Sequence, residues 1–175
     1  MPYKLNVFLT EEEIQKRIRE LAARIDADYE GKGPVYLVGI LKGAYLFLAD
    51  LSRAMKTPAR IEFMGISSYG KAKTSSGQVR VTKDLDVSIE DCHVIIVEDI
   101  VDSGITLTYL VQLFQQRKPK SLAIATLLDK PDRRQRPVEV AYVGFQIPDE
   151  FVVGYGLDYA EEYRNLADIC VLGQA

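Results

Sequence analysis

The stretch VIIVEDIVDSGIT, Val94–Thr106, decides how this chain folds. Four apolar residues run into the adjacent acids Glu98 and Asp99, and a third acid, Asp102, precedes Ser103-Gly104-Ile105-Thr106. The apolar run suits a strand buried on both faces. Leu107, Leu110, Val111 and Phe114 then recur at helical spacing, so a helix starts directly afterwards. Acids gathered at a strand end should repel one another. Something must face them.

The same alternation continues outward. Thr10 and Glu13 form a capping box, with Leu9 placed to staple against Ile14. Ile14, Ile18, Leu21 and Ile25 share one face of the helix that follows. Gly31, Gly33 and Pro34 break the chain before the apolar strand VYLVGI, 35–40. Leu41-Lys42-Gly43 makes a tight loop into a largely buried helix, and ARIEFMGI, 59–66, reads as another strand. The Ser-, Gly- and Lys-rich stretch 67–79 reads as a long mobile loop. Downstream, Pro119 stops the helix, and SLAIATLL (121–128) and VEVAYVGF (138–145) are two further strands. Buried strands alternating with amphipathic helices predict an α/β fold with a mainly parallel sheet. The expectation is one domain over 1–175, with the chain ends folded over one edge as a small hood.

Composition narrows the function classes. The chain has 175 residues, 47% hydrophobic and 27% charged, as in an ordinary soluble globular protein. A formal net charge of -3 provides no global basic field for nucleic acid. The N-terminus lacks the pattern of a signal peptide, and no apolar run approaches the ~18 residues of a membrane span. Cys92 and Cys170 lie far apart without metal-ligand spacing. They read as reduced thiols of a cytoplasmic protein that binds neither nucleic acid nor membrane.

In an open parallel sheet, ligands bind beyond the carboxyl ends of the strands. Glu98 and Asp99 belong there, and residues 102–106 open the next helix. A helix start offers unpaired N–H groups and partial positive charge, which suit a phosphate. Taken alone, DSGIT also fits a Ser or Asp cap with solvated acids. The joined pattern of apolar strand, paired acids, third acid and S-G-x-T is far more specific.

That pattern resembles the phosphoribosyl-diphosphate signature of the type I phosphoribosyltransferases. LVGILKGAYLFLADL, the SSYG loop, LLDKP and VGFQIPDEFVVGYGLDYAEEYRNL narrow the resemblance to the bacterial hypoxanthine-guanine phosphoribosyltransferases, over nearly the whole chain and in the right order. The resemblance implies magnesium-dependent transfer of ribose 5-phosphate from phosphoribosyl diphosphate to N9 of hypoxanthine or guanine, a purine-salvage reaction. It also implies a homodimer or homotetramer.

Carried over residue by residue, the resemblance makes Asp102 the catalytic residue that takes the proton at N7 of the purine. Asp102, Ser103, Gly104, Ile105 and Thr106 hold the 5′-phosphate. Glu98 and Asp99 take the ribose hydroxyls, directly or around Mg2+, and Asp158 binds a second Mg2+, tasks that suit pure acceptors and hard oxygen ligands. Leu41, Lys42 and Gly43 bind pyrophosphate together with Arg164, and the Leu41–Lys42 peptide can be cis. Lys130 donates to the purine 6-oxygen, Phe151 stacks on the base and the Val152 backbone reads its edge. Ser68 and Tyr69 belong to a lid. Without the resemblance, Phe151 and Val152 read as core residues of an apolar strand, and Asp158 and Arg164 as surface ion pairs. Ile105 stands where some relatives carry a basic residue. His93 matches no catalytic position.

Two other readings compete. A regulator of this fold would bind the same ligand without needing catalysis, but should add a DNA-binding domain or a basic RNA-binding face. A phosphoribosyltransferase for adenine, xanthine or uracil would share the phosphate loop, though LLDKP and FVVGYGLDY favour a 6-oxopurine.

Overall fold

The structure, a computed structural model, describes residues 3–68 and 79–174. Its centre is a sheet built from β2 (Val35–Leu41), β3 (Ala59–Ser68), β4 (Val79–Lys83), β5 (His93–Val101), β6 (Ser121–Asp129) and β7 (Tyr142–Gln146). The strand order is β4-β3-β2-β5-β6-β7, parallel throughout except for β4, which runs antiparallel to β3. Helix α1 (Glu11–Asp28) carries the expected capping box, and α2 (Tyr45–Ala54) and α3 (Ile105–Gln116) follow β2 and β5.

Side-chain alternation explains why the strands read as unbroken apolar runs. Val35, Leu37, Ile95 and Val97 pack with Ile14, Ile18, Leu21 and Ile25 of α1 and Phe47, Leu48 and Leu51 of α2. Val38, Ile40, Val94 and Ile96 pack on the other face with Leu107, Leu110 and Phe114 of α3. Both faces are covered, so neither can be polar. The apolar character of α2 is accounted for by this packing, although Tyr45 remains exposed.

The chain ends make a second sheet, ordered β1-β9-β8, from β1 (Tyr3–Leu9), β8 (Val152–Val153) and β9 (Ile169–Gln174). This is the hood. Its core is Val153, Tyr163 and Cys170, flanked by Leu5, Leu166 and Leu172. The Glu11 N–H donates to Asp168 at 2.7 Å, tying the first turn of α1 to the hood.

Three boundaries differ from expectation. β3 runs on through Ser67 and Ser68, and Val79 already belongs to β4, because these ends pair with each other as an antiparallel edge. The rest of the anticipated loop, Tyr69 included, lies outside the described residues. β7 begins at Tyr142 rather than at Val138. Val138 and Val140 pack against the α3-side core instead, so their hydrophobicity marks burial without strand pairing. β5 continues to Val101, which puts Glu98 and Asp99 inside its last turns of pleat.

Candidate active site

Strand order reverses direction at the seam between β2 and β5, and such switch points open a crevice beyond the strand ends. A cavity of about 330 Å³ lies there. It gathers Leu41, Lys42 and Gly43 from the end of β2, residues 98–104 with Thr106 from β5 and α3, and Asp158 and Arg164 from the segment leading into β9. Most residues singled out in the sequence therefore converge on one wall system. Ile105, Lys130, Phe151 and Val152 do not line this cavity.

The α3 start is open in the sense a phosphate needs. Gly104 is its N-cap, at φ 81, and no side chain caps the helix. The Ser or Asp cap that the short motif alone allowed is not made. Ser103 Oγ instead accepts a 3.3 Å hydrogen bond from the Ile105 N–H, and Thr108 Oγ1 donates to the Gly104 carbonyl at 2.8 Å. A Cβ at Gly104 would lie 2.5 Å from the Arg136 carbonyl oxygen and 2.9 Å from Arg134 Cδ. Glycine is thus required by the chain's own 134–136 segment as well as by the helix geometry.

Burial dominates the electrostatics of the acid pair. Glu98 is only 7% exposed. Removal from water pushes its carboxyl well above the ordinary range, and the neighbouring Asp99 charge adds to this. Burial also raises Asp99, to about 6, opposed by the Ile100 N–H that donates to its Oδ1 at 2.8 Å and by Arg164. A cation between these oxygens would relieve the cost of burying their charges. That fits magnesium, which is held by one or two carboxylates plus substrate phosphates and keeps several waters. No group of three or more His, Cys, Asp or Glu gathers among the described residues.

The cations Lys42 and Arg164 line the same cavity, each paired with a carboxylate. Lys42 Nζ and Arg164 Nη2 both reach Glu161, at 2.8 and 3.2 Å. Arg164 Nη2 also lies 3.2 Å from Asp158, and Nη1 donates to the Gly156 carbonyl at 2.8 Å. Its Nε is buried without a hydrogen-bond partner among the described residues. The Leu41–Lys42 peptide is cis, as the resemblance allowed. Gly156, at φ 96, packs so closely on the Gly43 carbonyl that a Cβ could not be accommodated.

Lys130 and Asp149 lie on the Asp102 side of the cavity, Asp149 joined to Asp102 through Arg133. Lys130 is 7% exposed, its N–H donates to the Val101 carbonyl at 2.9 Å, and its Nζ lies 3.8 Å from Asp149. Phe151 is 53% exposed, against the core reading of its sequence context. Its ring meets Tyr159 edge-on at 5.7 Å between centroids. Val152 is buried in β8 opposite Val171, so for this residue the core reading holds for the side chain. Ser68 ends β3, and its side chain and Tyr69 lie outside the described residues.

The phosphoribosyl transferase domain family model matches residues 8–160. The chain belongs to that family. It is similar to the hypoxanthine-guanine phosphoribosyltransferase of Bacillus subtilis, 52% identical over 169 residues that cover 97% of this chain and 93% of the relative. It is also similar to the Bifunctional protein TilS/HprT of Listeria innocua, 52% identical over 166 residues that cover 95% of this chain and 26% of that longer relative. Among solved structures, a hypoxanthine phosphoribosyltransferase of Staphylococcus aureus superposes with a TM-score of 0.93 at 51% identity, covering 98% of this chain and 92% of that one. A hypoxanthine-guanine phosphoribosyltransferase of Bacillus anthracis gives 0.91 at 48% identity, with 95% and 97% covered.

Sequence reasoning missed Arg133, Arg134, Asp149 and Glu161. Arg133 ends a short 3-10 turn, 131–133, and the other three lie in loops, and spacing alone carries no signal for which opposite charge such a side chain will meet.

Proposed function

We propose that this chain salvages 6-oxopurines, transferring ribose 5-phosphate from phosphoribosyl diphosphate to hypoxanthine or guanine to form IMP or GMP and pyrophosphate. The observation that carries the reading is the convergence of an uncapped helix start, a buried acid pair and the cations Lys42 and Arg164 on one crevice. These three features match the 5′-phosphate, the ribose hydroxyls and the pyrophosphate of one substrate.

The chemistry then follows from the residues. The α3 N–H groups fix the 5′-phosphate, and Glu98 and Asp99 orient the ribose through its hydroxyls. N9 of the base forms a bond to C1′ while the C1′–O bond to pyrophosphate breaks, its electron pair leaving with pyrophosphate. The N7 proton passes to Asp102. The acid pair offsets positive charge building on the ribose, and Arg164 receives the leaving group as a charged fork donor. Glu98 and Asp99 would hold one Mg2+ and Asp158 a second, which would supply charge neutralisation on the pyrophosphate. Lys130 donates to the 6-oxygen of the base, a contact a 6-amino group cannot accept. Sites of that kind discriminate by ~10⁴–10⁵.

A cytoplasmic homodimer or homotetramer fits the reading. Among the described residues no helix is long and apolar enough to cross a membrane. Turnover with Mg2+, phosphoribosyl diphosphate and each of hypoxanthine, guanine, xanthine, adenine and uracil tests it. The expected products are IMP and GMP. Tight ligand binding without any nucleotide product would instead make the protein a regulator, and adenine as best substrate would overturn the role of Lys130.

A further inference from the structure

The segment after β6 is bonded onto the phosphate loop at several points. The N–H groups of Gln135 and Arg136 both donate to the Ser103 carbonyl, at 2.8 and 3.0 Å. Arg134 Nε donates to the Asp102 carbonyl at 3.2 Å, and Arg134 also pairs with Asp129. The backbone around Asp102 is therefore fixed. Its side chain is 45% exposed and needs a separate restraint.

Arg133 supplies one. Its Nε donates to Asp102 Oδ1 at 2.7 Å, while its Nη1 reaches Asp149 Oδ2 at 3.3 Å. Asp149 in turn lies 3.8 Å from Lys130 Nζ. One guanidinium thus links the group assigned to N7 of the base with the group assigned to its 6-oxygen. Among the described residues, Asp102 Oδ1 accepts the Arg133 hydrogen bond and Oδ2 accepts none. A carboxylate held through one oxygen keeps the other for a ligand proton.

We infer that Arg133, held by Asp149, is a positioning residue that fixes the Asp102 carboxylate with Oδ2 turned to the purine. The inference rests on the placement of Asp102 at N7. An ordinary exposed ion pair contributes little, so a purely superficial contact predicts no kinetic effect. A guanidinium shared between two carboxylates has a fixed fork geometry that lysine does not reproduce.

The test is steady-state turnover of hypoxanthine by the full chain with Mg2+, comparing wild type, R133A, R133K, D102N and R133A/D102N. Misplacing a reacting group by about 1 Å can cost ~10²-fold. R133A should accordingly lower kcat by ~10- to 100-fold, with KM for phosphoribosyl diphosphate and Tm unchanged. R133K should recover part of the loss. In the D102N background, R133A should cost nothing further, because its effect runs through the carboxylate that is already gone. Wild-type kcat in R133A, or the same proportional loss in both backgrounds, would overturn the inference. Wild-type turnover by D102N would instead strike the assignment of Asp102 to N7, and absence of product from every form would strike the transferase reading itself.

Discussion

Gly43 closes directly on Asp99. A Cβ at position 43 would overlap the Asp99 carboxylate and come within 2.7 Å of its Cγ. The loop after β2 and the acid of β5 are thus fitted to each other, and one of them must yield if a methyl group is added. Gly43→Ala should turn the Asp99 carboxylate out of place and lower turnover by ~100-fold, as expected for misplacement near the reacting atoms. A magnesium titration of activity should show the same defect. Unchanged kinetics would show that the carboxylate moves freely.

The acid pair makes an unusual contribution to pH dependence. Burial raises both carboxyls, Asp99 to about 6. A carboxyl raised in the folded state binds a proton more readily folded than unfolded, so its burial cost is greatest above the folded pKa. Stability is regained as pH falls through that value, levelling off below an unfolded pKa of ~3.9. His93 works the other way, since burial lowers its pKa and acid costs stability below ~6.5. Asp99→Asn removes the Asp99 share of the first contribution, leaves Glu98 buried and keeps the second. The ligand-free variant should have a higher Tm than wild type at about pH 8, and the gap should narrow as pH falls from about 6 towards about 4. A gap that widens on acidification would refute the assignment of the cost to Asp99.

Lys130 is nearly buried, with Asp149 as its ion-pair partner. Charged hydrogen bonds contribute ~1.5–3 kcal/mol, so Lys130→Met should lower kcat/KM for hypoxanthine and guanine by ~10- to 100-fold. Relative use of adenine should rise, read in a direct competition assay. Equal losses for all bases would mean that the lysine positions the loop and does not read the 6-oxygen.

Phe151 can be separated from a core residue by its exposure. Base stacking on an aromatic ring contributes ~1–3 kcal/mol. Phe151→Ala should therefore raise KM for hypoxanthine by ~10- to 100-fold, while Tm stays close to wild type because the ring is 53% exposed. A large fall in Tm with unchanged KM would restore the core reading.

Local physics made much of this protein legible in one dimension. The capping box at Thr10 and Glu13, the face of Ile14, Ile18, Leu21 and Ile25, and the buried strands at 35–40, 94–97 and 121–128 arise from contacts near in sequence or from hydrophobic periodicity. Asp102 to Thr106 could be read because strand end and helix start are adjacent in the chain. That the chain ends form a hood is expected from the sequence, but its strand pairing, the edge strand β4 and the late start of β7 are not legible there, since each depends on partners far away. Tyr3 faces Gln174 in β1 and β9, and Val138 is apolar because it covers α3 without pairing.

The same division runs through the site. VIIVEDIVDSGIT determined by itself that an acidic strand end meets an anion-binding helix start. Only the tertiary structure decided what surrounds it: Gly43 against Asp99, Arg164 near the acid pair, and Arg133 on Asp102. Those contacts join segments more than thirty residues apart. Hydrophobic spacing records burial along one element, whereas the choice of partner for a charged side chain is made only when the elements have packed.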